Sequence, residues 1–410
     1  MKIKKILNIN LLFFISISLL IVGFVLDEDL STGGSKLDFE QTWGLVKEFT
    51  KLNLENIHNF TRHFPIHYLL MAFFQSIFDN IYIARLLYFL FSLSLPYLIY
   101  INLKLLYPKY EYNILLLITF IYFLPFFRSS SIWPNAHLTA IIFLTISNFF
   151  FLKFQITKKF KFVFFNIFFL SLATYSIQSY VVFFIFYLYR YYLQLKFTNL
   201  RIVLILCLIF SIPGLFLILK TPVGSKLDFS NNLPYTVITN ISITFFFIIF
   251  FLFNIKNIHA VSDFFKKKNI LPTILLLIFY MALVMNYKNF VPGIGGGFFY
   301  KISFYFFKNE LIFFSLSFLG LITLFILFTI DKNLFLTILL VNITSIAYYT
   351  SQKYFEPLLI IIILIMTKNF LTENIVRDRF NCLVFYFINI LYYTISLINL
   401  HFGLTKSILF

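Results

Sequence analysis

The chain has 410 residues, of which 60% are hydrophobic and only 12% charged, with a mean hydropathy of +0.90 and a formal net charge of +17. This composition excludes a water-soluble globular protein, because the repeated apolar runs of about 20 residues match a hydrocarbon core of roughly 30 Å. It also argues against a nucleic-acid partner, since the basic residues are scattered over short loops. Two cysteines, Cys207 and Cys382, imply no disulfide framework.

In chain order, residues 8–26 are predicted to form a first span that is retained as a signal anchor, because no small-x-small cleavage site follows. A short amphipathic helix is predicted from Pro65 to Phe78. The further predicted spans are 81–106, 113–127, 136–152, 162–176, 178–195, 201–219, 236–255, 270–286, 310–330, 333–349, 357–370 and 380–400.

These runs are apolar on all faces, whereas the strands of a membrane β-barrel alternate polar and apolar residues. The predicted fold class is therefore an all-α polytopic membrane protein with about 13 transmembrane helices, plus the amphipathic helix in the first outer loop. No extramembrane stretch is long enough for a separate soluble domain, so residues 1–410 are predicted to form a single integral domain.

Charge asymmetry predicts the orientation. With the N-terminus in the cytoplasm, the inner segments collect most of the 33 basic residues and the outer segments most of the 16 acids. The positive-inside rule favours this arrangement. The bias towards Lys, Asn, Ile and Phe indicates an AT-rich genome, so a multi-pass protein of a bacterial inner membrane is expected.

The segment 27–64, between the first span and the amphipathic helix, holds almost half of the acidic residues. Carboxylates at a membrane surface can serve as general bases towards a hydroxyl. Asp38 is the first candidate for a catalytic base, and Asp27, Glu28 and Asp29 are the reserve candidates. The alternative interpretation is that these acids only solvate the loop.

Other polar residues are predicted to gather on the same outer face, in the segments 27–67, 128–137, 221–240 and 351–357. Arginine can bind a phosphate in bidentate fashion and lysine as a point charge. The candidate substrate or phosphate-binding residues are Arg62, His67, Arg128, His137, Lys353 and Glu356. Interfacial anchoring by a snorkelling side chain is the alternative for Arg128, and anchoring is also the expected role of Arg85.

The order of these elements resembles the GT-C superfamily of polytopic glycosyltransferases. Asp38-Phe39 through Trp43 is similar to the acidic motif of the first outer loop in that superfamily. The segments 64–68 and 84–86 resemble its Pro-Pro-Leu-Tyr-Tyr segment, of which one proline is absent here, and its Ala-Arg-Leu helix start. The segment 352–357 resembles a late Arg-Tyr-x-x-Pro element. The likeness in motifs covers residues 1–106, and beyond them only span count and loop placement agree.

The resemblance implies an inverting hexosyl or pentosyl transferase. Its donor would be a polyprenyl-phosphate sugar, and its acceptor a hydroxyl of a glycan, lipid or protein on the outer face. Some relatives use a divalent cation held by carboxylates, so a metal cofactor stays open. A histidine metal site is not expected, because Pro65 separates His63 from His67 and no Cys or Glu stands at ligand spacing.

The sequence has two further features that bear on function. The glycine-rich segment 292–297 lacks the Gly-Lys-Ser/Thr of an ATP-binding loop and is expected to form a tight turn or lid. Gly-Ser-Lys-Leu-Asp-Phe occurs at 34–39 and again at 224–229, which raises the hypothesis that Asp38 and Asp228 share one site.

Two other functions remain open. A polysaccharide polymerase would need a large late outer loop with paired arginines, which the sequence lacks. A lipid or solute transporter or flippase would show spans interrupted at matching positions of two halves, and no such interruption is evident in the sequence.

Overall fold

A computed structural model describes residues 9–31, 34–51, 63, 65–220, 233–252, 270–287, 296–345 and 352–402. Over these residues the chain is built from helices and short turns, without any β-strand. The described residues divide into two compact units. Unit 1 contains those up to 220 and those from 389 to 402, and unit 2 contains those from 233 to 388. The all-helical prediction is confirmed, and the single integral domain stays a prediction.

Unit 1 contains the longer part of the described chain. Its α-helices are α1 Ile9–Val25, α2 Gly34–Thr50, α3 Ile66–Phe78, α4 Ile81–Ser92, α5 Ser94–Leu106, α6 Glu111–Ile118, α7 Pro125–Ile132, α8 Ala136–Thr157, α9 Lys161–Thr174, α10 Phe183–Tyr192 and α11 Phe197–Lys220. Short 3-10 helices at Pro108–Tyr110, Thr119–Phe123 and Gln178–Val182 connect some of them.

Unit 2 is organised around one central helix, α12, which packs against each of the next six helices that the structure describes, α13 to α18. The helices are α12 Leu233–Leu252, α13 Ile270–Met285, α14 Gly297–Phe307, α15 Leu311–Ile330, α16 Lys332–Thr344, α17 Gln352–Ile365, α18 Phe370–Arg377 and α19 Arg379–Phe402. The N-terminal part of α19 belongs to unit 2 and its C-terminal part to unit 1.

Six helical segments among the described residues are long and apolar enough to cross a membrane, or up to eight if each of two bent helix pairs counts as one span. This makes the protein a multi-pass membrane protein. The predicted number of 13 spans is not confirmed. Several apolar runs, among them Ile9–Val25, Lys161–Thr174 and Lys332–Thr344, form helices of 10–17 residues, and at 1.5 Å per residue such helices are shorter than the hydrocarbon core.

Each unit contains one bent pair of helices. In unit 1, Pro108–Phe123 meets α7 at 64°, and in unit 2, Phe355–Ile365 meets α18 at 79°. The first bend has a local cause: Pro125 is the first residue of α7, and proline forces the preceding Leu124 into an extended conformation. The prediction that no span is interrupted is therefore wrong for the described residues.

Much of the acidic segment after α1 is helix rather than loop. In α2, the buried residues Phe39, Trp43, Val46 and Phe49 recur at intervals of three or four, which places them on one face. That face packs against α3 and α7. Asp38, predicted to lie in a loop, is therefore part of a helix.

A buried network of amide and hydroxyl groups holds α5, α8, α9 and α10 together. Asn148 Nδ2 donates to Asn102 Oδ1 at 3.0 Å, and Asn166 Nδ2 donates to the carbonyl and hydroxyl of the adjacent Ser147 at 2.9 and 2.8 Å. Tyr191 Oη donates to Asn166 Oδ1 at 2.9 Å. Inside a bilayer such bonds replace the water that these groups would otherwise need.

Tyr175, at the end of α9, contacts two other helices. Its hydroxyl lies in the backbone ladder of α11 beside Pro213, donating to the Phe210 carbonyl and accepting from the Gly214 N–H. Its own carbonyl accepts the N–H of Ile66 at 3.1 Å. The second contact fixes the first turn of α3, which carries His67.

Candidate active site at the end of the first helix

The last turn of α1 closes in a Schellman motif. The Glu28 N–H donates to the Gly23 carbonyl at 2.9 Å, and the Asp27 N–H donates to the Phe24 carbonyl at 3.3 Å. Asp27 takes the left-handed conformation of this motif, with φ of 53°. Helix ends usually place glycine there, so this position carries a carboxylate at some conformational cost.

The Asp27 carboxylate is paired with a buried arginine. Its Oδ1 accepts a hydrogen bond from Arg85 Nη2 at 2.7 Å; the arginine side chain is 5% exposed and the aspartate side chain 52%. The Arg85 guanidinium lies 3.7 Å from the centroid of the Trp133 ring, and its Nε donates to the Ile132 carbonyl. The carboxylate is thus open to solvent on one side and held from within the protein on the other.

Glu28 pairs with a second buried arginine. Arg128 donates to both carboxylate oxygens of Glu28, from Nε at 2.6 Å and from Nη2 at 2.9 Å. The same guanidinium donates to the carbonyls of Leu19 and Tyr122 at 2.9 and 3.2 Å. Arg128 is 1% exposed. The phosphate-binding role predicted for Arg128 gains no support from this geometry and stays a prediction.

Asp29 shapes the start of α2. Its Oδ1 accepts from the backbone and hydroxyl of Ser31, and its Oδ2 accepts from the Lys36 N–H at 2.8 Å. The Leu30 N–H donates to the Ser129 hydroxyl and so ties the connection to α7. A buried carboxylate that satisfies the free N–H groups of a helix start has a structural role.

Asp38 lies half-buried on α2, next to Phe39. The Phe39 ring contacts the Trp133 ring, with centroids 5.9 Å apart. The Nζ of Lys36, whose side chain is 48% exposed, lies 5.2 Å from the same indole. Trp133 therefore joins α2 to Arg85, the partner of Asp27.

His67 is buried on α3 and its Nδ1 lies 2.9 Å from the Thr139 hydroxyl. That hydroxyl is also 3.0 Å from Tyr88 Oη, which donates to the Asn135 carbonyl. Burial, followed by the charge of nearby His63, lowers the pKa of His67 to about 3. A neutral imidazole supplies no positive charge to a phosphate, so the substrate-binding role predicted for His67 gains no support here.

The remaining predicted site residues are placed as follows. His137 is half-buried at the start of α8, with its ring centroid 5.6 Å from that of His63. Glu356 is buried on α17 of unit 2, 2% exposed. Arg62 and the side chain of Lys353 lie outside the described residues, as does the repeated segment 224–229.

The described residues do not fit a metal centre. No group of three His, Cys, Asp or Glu side chains among them is arranged to hold an ion. The carboxylates of Asp27, Glu28 and Asp29 bond instead to Arg85, to Arg128 and to the start of α2.

Two residues of this site were not among the predicted site residues. The sequence predicts interfacial anchoring for Arg85, and no role is predicted for Trp133. The signal for Arg85 was its place in the Ala-Arg-Leu sequence that opens α4. Its pairing with Asp27 joins residues 58 positions apart in the chain and depends on the tertiary structure.

Comparison of the chain with protein-family models, with curated proteins and with solved structures finds no match. The helices define the class as a multi-pass helical membrane protein.

Proposed function

We propose that this protein is a membrane glycosyltransferase of the inverting type that it resembles, moving a sugar from a polyprenyl-phosphate carrier to an acceptor hydroxyl on the outer face of a bacterial inner membrane. The observation that carries the proposal is the carboxylate of Asp27, half-exposed at the end of α1 and fixed by the buried Arg85 at 2.7 Å. The left-handed backbone at Asp27, with φ of 53°, and the bond to Arg85 together fix the direction of this carboxylate.

In the proposed reaction the acceptor oxygen attacks the anomeric carbon of the donor. The bond between that carbon and the phosphate oxygen breaks, and the phosphate leaves with the electron pair. Asp27 takes the proton of the acceptor hydroxyl, while Arg85 holds the carboxylate in one orientation. The phosphate needs no proton to leave, so one base is sufficient.

Two side chains near Asp27 have further proposed roles. Lys36 is an exposed cation over the Trp133 ring and can contact the donor phosphate as a point charge. Asp38 remains the alternative base, because it lies on the same helix as Lys36 and next to Phe39, which contacts Trp133.

The test uses washed membranes that contain the full chain. They are given a panel of labelled polyprenyl-phosphate hexoses and pentoses, and transfer of the label from the carrier is measured. Asp27→Asn is expected to lower the rate at least 100-fold. The matched control is Asp79→Asn, which alters an exposed aspartate at the left-handed end of α3 that accepts a hydrogen bond from Gln75 of the same helix. Absence of transfer from every donor would contradict the function, and a loss with Asp38→Asn alone would move the base to Asp38.

A second candidate, a transporter or flippase for a lipid-linked solute, is favoured by one observation. Each unit contains one span that is bent by more than 40° at a short break. Interrupted spans in both halves of a chain are typical of transporters. Proteoliposomes loaded with a fluorescent polyprenyl-phosphate sugar separate the two functions, because a flippase moves the intact lipid between leaflets and a transferase cleaves it.

A further inference from the structure

Arg128 is buried beside the candidate site, and its guanidinium bonds to Glu28 and to backbone carbonyls rather than to the exposed carboxylate of Asp27. We propose that Arg128 is a positioning residue: through Glu28 it holds the last turn of α1 in the conformation that places Asp27 against Arg85. The inference rests on the proposed function for the role of Asp27, but the geometry it concerns can be measured without activity.

The first step is the link between Glu28 and Asp27. The backbone N–H of Glu28 closes the Schellman motif on the Gly23 carbonyl, and Asp27 precedes Glu28 in the left-handed position of the same motif. The side chain of Glu28 is held at both oxygens by Arg128. Any movement of Glu28 therefore changes the direction of the Asp27 side chain.

The second step is the anchoring of Arg128. Its guanidinium reaches the Leu19 carbonyl inside α1 and the Tyr122 carbonyl of the preceding 3-10 helix, and its Cζ lies 4.8 Å from the centroid of the Tyr393 ring. The side chain is held on several sides at 1% exposure. A charge buried this far requires its partner, so the pair with Glu28 persists.

The third step is the space that Gly23 provides. A Cβ atom at position 23 would lie 2.7 Å from Arg128 Nη2, closer than real Cβ contacts allow, and 3.0 Å from Glu28 Oε2, which is a tight contact. The guanidinium cannot withdraw without losing its bonds to Leu19 and Tyr122. A side chain at position 23 would therefore displace the ion pair from α1.

The test measures how strongly Asp27 is coupled to Arg85 in purified full chain in detergent. Asp27→Asn lowers the apparent melting temperature because it leaves Arg85 buried without its partner. We expect the drop in melting temperature caused by Asp27→Asn to be less than a quarter as large in three variant chains as in the native chain. These variants disturb the ion pair of Arg128 and Glu28, and they are Arg128→Lys, Glu28→Gln and Gly23→Ala. In the control background Gly44→Ala the full shift should remain, because an added methyl at Gly44 meets no atom within 4 Å.

If Asp27→Asn lowers the melting temperature of these variants as much as it lowers that of the native chain, the proposal is overturned. One folded variant of the three is sufficient for this measurement. In the transfer assay, Arg128→Lys should lower kcat with the KM for the donor unchanged, since Arg128 does not bind the donor. A raised KM with kcat intact would make Arg128 a phosphate ligand and would also overturn it. If the native chain transfers no sugar while the shift still disappears, the proposed function fails and the positioning role stands.

Discussion

Position 27 combines two demands that are usually met by different residues. A left-handed helix end favours glycine, which has no Cβ to clash, whereas pairing with Arg85 requires a carboxylate. Aspartate tolerates the left-handed region better than most residues and so satisfies both demands. Position 27 therefore has a conformational role, which depends on its backbone, and a chemical role, which depends on its carboxylate.

The conformational role can be measured by comparing the stabilities of Asp27→Gly and Asp27→Ala. Both variants remove the carboxylate and leave Arg85 without its partner, so they differ only in the fit to a φ of 53°. The glycine variant should be more stable by about 1 kcal/mol in denaturant unfolding. Both should lose transfer activity. An alanine variant as stable as the glycine variant would contradict the left-handed conformation.

His67 makes the stability depend on pH. Its pKa is lowered to about 3 in the folded chain, below the usual value near 6.5, so between these pH values the unfolded chain binds the additional proton. The free energy of unfolding should fall as the pH is lowered through this window, by up to about 1.4 kcal/mol per pH unit. His67→Gln should flatten the acid side of the melting-temperature profile. His401→Gln alters an exposed histidine and should leave the profile unchanged.

At the scale of helices, the buried amides explain how short apolar elements pack without charged contacts. Asn166 bonds to Ser147 and Tyr191 and thereby joins α8, α9 and α10. Lipid-facing surfaces cannot supply a hydrophobic force between these helices, so packing and hydrogen bonds hold them together.

Asn166→Leu should therefore lower the free energy of unfolding by about 1–2 kcal/mol, because it leaves the Tyr191 hydroxyl and the Ser147 hydroxyl with fewer partners. The comparison is Asn286→Leu, an exposed amide that bonds only to the Ala282 carbonyl of its own helix in the described structure. Equal effects of the two substitutions in detergent melting would show that the network does not hold the helices together.

Some of these elements could be predicted from the sequence and others could not. Hydropathy located α4, α8, α12 and α15, because long apolar runs determine helices in lipid. The start of α8 also had a local signal, since the Asn135 side chain accepts the His137 N–H as a cap. In α2 the spacing of Phe39 and Trp43 was visible, but the many acids of the segment favoured a loop.

The ion pairs of the candidate site, in contrast to the helices, could not be predicted from the sequence. Glu28 and Arg128 lie 100 positions apart, and no local sequence pattern predicts which arginine pairs with which acid. The sequence drew attention to the acidic segment and to Arg128, but the contact between them depends on how α1 packs against α7. The bend at Leu124 had a signal in Pro125, which the hydropathy of a continuous run concealed.

At the scale of the whole molecule, the described residues form six to eight candidate spans in two compact units, and the carboxylates of the candidate site follow the end of the first helix. The proposed function requires one further property, which is the side of the membrane on which Asp27 lies. A lipid-borne donor is needed only where nucleotide sugars are absent, so Asp27 must face away from the cytoplasm.

The most direct test labels Glu40→Cys in intact cells with a membrane-impermeant maleimide, after Cys207 and Cys382 are replaced by serine. Position 40 is exposed on α2, the helix that follows Asp27, and Lys159→Cys in the predicted cytoplasmic turn between α8 and α9 is the control. We predict labelling at position 40 in intact cells and at position 159 only after permeabilisation. Labelling at position 40 only after permeabilisation would place Asp27 in the cytoplasm and contradict the proposed function.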